Sequence, residues 1–104
     1  MVTAQQLIAK LRTCFDEYAG GIANPTALRK VESILQTISM TCQPNTYARE
    51  KISSIREYSG IYFSDRKHQR YQHGAATVKS FIWGDIDTLE DALYQGIGST
   101  DRTK

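Results

Sequence analysis

Arg66, Lys67, His68, Arg70, Tyr71 and His73 crowd into one stretch, SDRKHQRYQHG at residues 64–74, and Asp65 is the acid that offsets them. Such a mixture has recognisable uses. Cations neutralise phosphates, and aromatic rings stack on unpaired bases. The same residue types also anchor protein interfaces, where aromatics and arginine are enriched. Read as helix, the stretch sets Arg66, Lys67 and Arg70 one turn apart on a shared face. Tyr58, Tyr62, Phe63, Tyr71, Phe81 and Trp83 all lie between 58 and 83, so rings and cations interleave. The plain alternative is a solvated helix face whose aromatic neighbours belong to the core.

Other chemistry is harder to assemble. His68 and His73 are not at the i, i+4 spacing of a helical metal pair, and no cysteine or carboxylate completes a ligand set beside them. Arg66 and His73 loosely resemble the arginine–histidine pair of the helical ribonucleases called HEPN domains. Those proteins carry the two residues a short distance apart on a long helix. Lys67 departs from that pattern, because the family's usual residue after the arginine is asparagine, aspartate or histidine. The resemblance implies RNA cleavage, with the pair as base and charge clamp. No nucleophile–base pair can be named around Cys14 or Cys42, and no glycine motif cradles phosphate. No catalytic residue, metal or cofactor is assigned.

Charge is unevenly placed further on. Arg66, Lys67, Arg70 and Lys79 face Asp65 alone over 65–79, while Asp85, Asp87, Glu90 and Asp91 crowd 85–91. Such patches can pair within a monomer, complement each other across a dimer, or serve separate partners. Between them runs FIWGDI, residues 81–86. Three consecutive apolar residues cannot share one helix face. If Phe81 and Ile82 pack inside, Trp83 turns outward as an anchor, or covers an open end of the core.

The elements that hold these residues are helical. Thr3 and Gln6 form a capping box ahead of Leu7, Leu11, Phe15 and Tyr18, with Ile8 and Cys14 beside them. This predicts a helix over 4–19, stopped by Gly20-Gly21. Asn24-Pro25 opens a second helix carrying Leu28, Val31, Ile34, Leu35 and Ile38 and ending near Cys42, before Pro44. The short loop between them predicts an antiparallel hairpin, which keeps Cys14 and Cys42 apart as free thiols. A third helix from Asn45 or Thr46 carries Ile52, Ile55, Tyr58 and Tyr62. Ser59-Gly60 interrupts its stripe, and the reading is a long or kinked helix that continues past it. Gly84 is expected to close a fourth segment, and Asp87 to cap a short last helix.

Composition sets the bounds. The chain has 104 residues, 40% hydrophobic and 23% charged, with net charge +2 and two cysteines. One domain fits, and disordered, collagen-like and disulfide-framework classes do not. No basic leader precedes an apolar run at the start, and no run approaches the roughly 20 residues of a membrane span. The expected architecture is all-α: a small bundle of four to five helices over 1–95, with a flexible tail at 96–104. The expected role is a non-catalytic, cytoplasmic protein–protein interaction module, a subunit, adaptor or inhibitor. It docks through a basic and aromatic surface of Tyr62, Arg66, Lys67, Arg70, Tyr71 and Trp83. Its partner is another protein, with self-association through the third helix as a variant of this role. An RNA or single-stranded DNA binder using 66–73 is the alternative, and a helical ribonuclease the distant third.

Overall fold

A computed structural model describes residues 3–102, with side chains through Leu93. The described residues form four α-helices and one short turn of 3-10 helix: α1 (Ala4–Glu17), α2 (Pro25–Thr41), α3 (Thr46–Tyr62), the 3-10 turn (Lys67–Arg70) and α4 (Ala75–Arg102). Each of α1 and α3 packs against both α2 and α4, so the helices close into a four-membered ring. No helix among the described residues is long and apolar enough to cross a membrane.

The first half follows its local signals. The Thr3 hydroxyl accepts from the Gln6 N–H at 3.2 Å, and the Gln6 side chain accepts in return from the Thr3 N–H at 3.0 Å. Asn24 caps α2 by accepting from the Ala27 N–H at 3.0 Å, directly before Pro25. Each cap satisfies a backbone donor that the helix leaves unpaired. Asn24→Ala should therefore lower stability by about 1 kcal/mol, read as an earlier urea midpoint. An unchanged midpoint would mean that Pro25 alone sets the start of α2.

Leu7, Ile8, Leu11 and Phe15 of α1 meet Val31, Leu35 and Ile38 of α2 in one core, completed by Ile52 and Ile55 of α3 and by Val78, Ile82, Ile86 and Leu89 of α4. Both cysteines are free, with Cys14 buried and Cys42 half-buried. Burial pushes both thiols up from their ordinary pKa; at Cys14, Lys30 opposes this and Glu17 reinforces it.

Three boundaries differ from the sequence reading. The third helix runs through Ser59-Gly60 but does not continue into the basic stretch; it ends at Tyr62. Ser59 is buried and turns its hydroxyl back onto the Ile55 carbonyl at 2.6 Å, which keeps this small polar residue satisfied inside the helix. Gly84 does not stop the fourth segment, and Asp87 caps nothing. One helix of 28 residues runs through both positions. Its stripe of Val78, Ile82, Ile86, Leu89 and Leu93 is continuous in the core. Packing of that stripe outweighs the roughly 1 kcal/mol that a mid-helix glycine costs. The expected tail over 96–104 falls outside the residues whose side chains are described.

Candidate functional site

The stretch 64–74 is a folded corner, not a helix face. It leaves α3 at Phe63, which is buried. The Ser64 hydroxyl donates to the Ile61 carbonyl and accepts from the Lys67 N–H, which starts the 3-10 turn. His73 and Gly74 then take the left-handed conformation, with φ of 66° and 59°, and turn the chain into α4.

The corner is tied to the loop between α1 and α2. Gly21 donates its N–H to the Tyr62 carbonyl at 2.7 Å. Ala23 donates its N–H to Asp65 Oδ1 at 2.8 Å. His68 lies over Gly21, and its Nδ1 is buried without a hydrogen-bond partner. Gly20 faces the Tyr62 ring so closely that a Cβ would sit 2.2 Å from it. The two glycines therefore do more than end α1. Gly20 admits a ring, and Gly21, at φ 78°, holds a backbone shape that other residues strain to adopt.

The expected site residues separate into groups. Arg66, Lys67 and Arg70 are exposed, and none has an ion-pair partner among the described residues. Lys67 and Arg70 line a cleft of about 280 Å³ with Glu57, Gly60 and Ile61 of α3. Tyr71 is half-buried and packs edge-on against Phe81 at 6.0 Å.

Two expected anchors sit elsewhere. Tyr62 is buried at 5% exposure, edge-on to Phe15 at 5.8 Å and to Phe63 at 4.9 Å. It belongs to the core because the chain turns inward where α3 ends. Trp83 is half-buried on the flank of α4 that faces α1, with Lys79 5.4 Å above its ring and Asp16 3.4 Å from Lys79. Phe81 lies two residues earlier, about 200° around the helix. It stands 42% exposed on the flank that faces α3, 5.5 Å from Tyr58. Phe81, with the half-buried Tyr58 beside it, thus supplies the exposed aromatic edge in place of Trp83 and Tyr62. Burial raises the Tyr58 phenol above its ordinary pKa, with Tyr71, Asp85 and Glu57 adding to the shift.

Asp85, Asp87 and Glu90 are bound to other helices, not to the basic corner. Arg12 of α1 pairs with Asp87, and with Glu90 at 3.1 Å. Partial burial works against the Arg12 charge, yet these two carboxylates hold its pKa above the ordinary value. Asp85 accepts from the Ser54 hydroxyl and lies 3.9 Å from Lys51. The cations at 66–70 are left to face solvent. Arg66 and His73 both fall on the corner, outside any α-helix, unlike the arrangement of the helical ribonucleases. Among the described residues, no three His, Cys, Asp or Glu side chains gather as metal ligands.

The corner with Tyr58, Phe81 and the cleft is a surface that combines exposed aromatic area with cations lacking an ion-pair partner among the described residues. Compared with protein-family models, with curated proteins and with solved structures, the chain finds no match.

Proposed function

We propose that this chain is a small protein-docking module that binds through the surface of Tyr58, Lys67, Arg70, Tyr71 and Phe81. One observation carries the reading: Phe81 stands exposed between Tyr58 and Tyr71, and Tyr71 directly follows Arg70, which like Lys67 has no ion-pair partner among the described residues. Apolar rings rimmed by free charge are the ordinary anatomy of a binding patch. The free thiols are in keeping with a reducing, cytoplasmic setting.

A nucleic-acid site is the second reading, favoured by the free Arg66, Lys67 and Arg70. Against it, the three rings pack on one another instead of standing apart as stacking platforms. Glu57 and Asp65 also stand among the cations.

Two measurements separate the readings. Selection of phage-displayed random peptides on the immobilised protein should enrich binders that Phe81→Ser loses. Binding of random single- and double-stranded DNA and RNA should be absent near physiological salt. The docking reading is overturned if nucleic acid binds, if log K falls by about 0.7–0.9 per phosphate contact, and if an Arg66→Ala/Lys67→Ala/Arg70→Ala variant loses that slope. Light scattering reads self-association, the case in which the bound partner is a second copy.

A further inference from the structure

Gly60 has no explanation within the folded chain. It lies inside α3, where glycine is a poor choice, and a Cβ added there meets nothing within 4 Å. No turn, left-handed backbone or close neighbour requires it. Its surroundings suggest another reason. Gly60 forms part of the wall of the cleft that Lys67 and Arg70 approach from the 3-10 turn, with Glu57 and Ile61 on either side. A side chain at position 60 would start from the wall of that cleft with open space in front of it.

The charges in that cleft do not cancel. Neither Lys67 nor Arg70 pairs with Glu57, since no ion pair joins them among the described residues. Two cations and one carboxylate leave a local charge that matches a single anion of modest size. A nucleic-acid strand brings further charges along its length. Here it would meet Glu57 and Asp65. A protein segment brings one carboxylate and, on a neighbouring side chain, apolar surface for Phe81.

Resting on the docking reading above, we propose that the cleft beside Gly60 takes the carboxylate of an Asp or Glu side chain from an acidic partner segment. Gly60 keeps that space open, Lys67 and Arg70 bind the carboxylate, and the Tyr58–Phe81–Tyr71 cluster receives an adjoining apolar residue. Arginine suits this role, because its planar fork matches a carboxylate with two parallel hydrogen bonds.

The experiment uses peptides selected on the full chain by phage display, then synthesised. They should carry Asp or Glu next to an aromatic or aliphatic residue. Changing that acid to its amide, or making Lys67→Ala/Arg70→Ala, should weaken binding roughly tenfold or more, as loss of a charge-assisted contact does. Gly60→Leu should weaken it similarly by filling the cleft. Gly60→Ala should weaken it less while raising the melting temperature by about 4 °C. That opposite movement of affinity and stability is not produced by damage to the fold.

If the selected peptides show no acid preference and bind Gly60→Leu as well as wild type, the carboxylate assignment falls while the docking reading stands. If no peptide is enriched, both fall.

Discussion

Phe15→Ala should destabilise the bundle by about 3–5 kcal/mol. Phe15 is fully buried. Its ring lies nearly parallel to Phe63, with centroids 5.7 Å apart, and meets Tyr62 edge-on. Truncation would remove the ring that joins α1 to the end of α3 and leave a cavity beneath two other aromatics. They cannot collapse into it easily, because Tyr62 and Phe63 are themselves fixed by the chain's turn into the corner. A domain of this kind has about 5–15 kcal/mol in total, so the loss is a large share. Urea unfolding followed by circular dichroism measures it. Phe15→Leu, which keeps much of the apolar contact, should cost clearly less. Equal costs for the two would mean that the ring stacking contributes more than the volume it fills.

Gly20→Val should cost about 3 kcal/mol, although residue 20 lies in a surface loop. Loop substitutions are ordinarily mild. Here a Cβ would fall 2.2–2.7 Å from three atoms of the Tyr62 ring. That ring is held by Phe15 and Phe63 and cannot swing into solvent without uncovering the core. Gly20→Ala should show the same effect at smaller size. The readout is again the denaturation midpoint. A midpoint unmoved by valine would show that the loop shifts away at little cost. In that case the hydrogen bonds from Gly21 and Ala23 should be lost, visible as rapid exchange of those two amides.

The parts of this fold that could be read in advance are those with coincident local signals. For α1 and α2, a capping side chain, a period-3.6 stripe and a stop signal agree within one short window. The later elements are decided at a distance. Gly60 and Gly84 look like interruptions because a mid-helix glycine costs about 1 kcal/mol. Each lies on a helix whose opposite side is buried, and burial of Ile55, Ser59 and Tyr62, or of Ile82 and Ile86, outweighs that cost. The true end of α3 carries no strong breaker. It is set by contacts with Gly21 and Ala23, and the latter bond spans 42 positions in sequence.

The surface was legible to the same degree. That Arg66, Lys67 and Arg70 face solvent follows from residue type alone. That Lys67 and Arg70 converge on α3 does not, because their spacing suggested a shared helical face and they lie on a 3-10 turn. Trp83 and Tyr62 seemed better anchors than Phe81 and Tyr58 only while α4 was divided at Gly84 and α3 was extended past 62. Once one helix runs through 75–93, the stripe of Val78, Ile82, Ile86 and Leu89 places Phe81 at its edge.

The bonds from Gly21 to Tyr62 and from Ala23 to Asp65 also make the shape of the corner and the closure of the bundle end a single equilibrium. Opening the loop at 20–24 releases the turn, and reshaping the turn withdraws acceptors from the loop. By thermodynamic linkage, a ligand that grips 64–74 in its folded form stabilises the whole domain. At a hundredfold excess over its Kd, the gain is about 2.7 kcal/mol. A substitution deep in the core and a molecule held at the surface would thus act on the same melting curve, through Asp65.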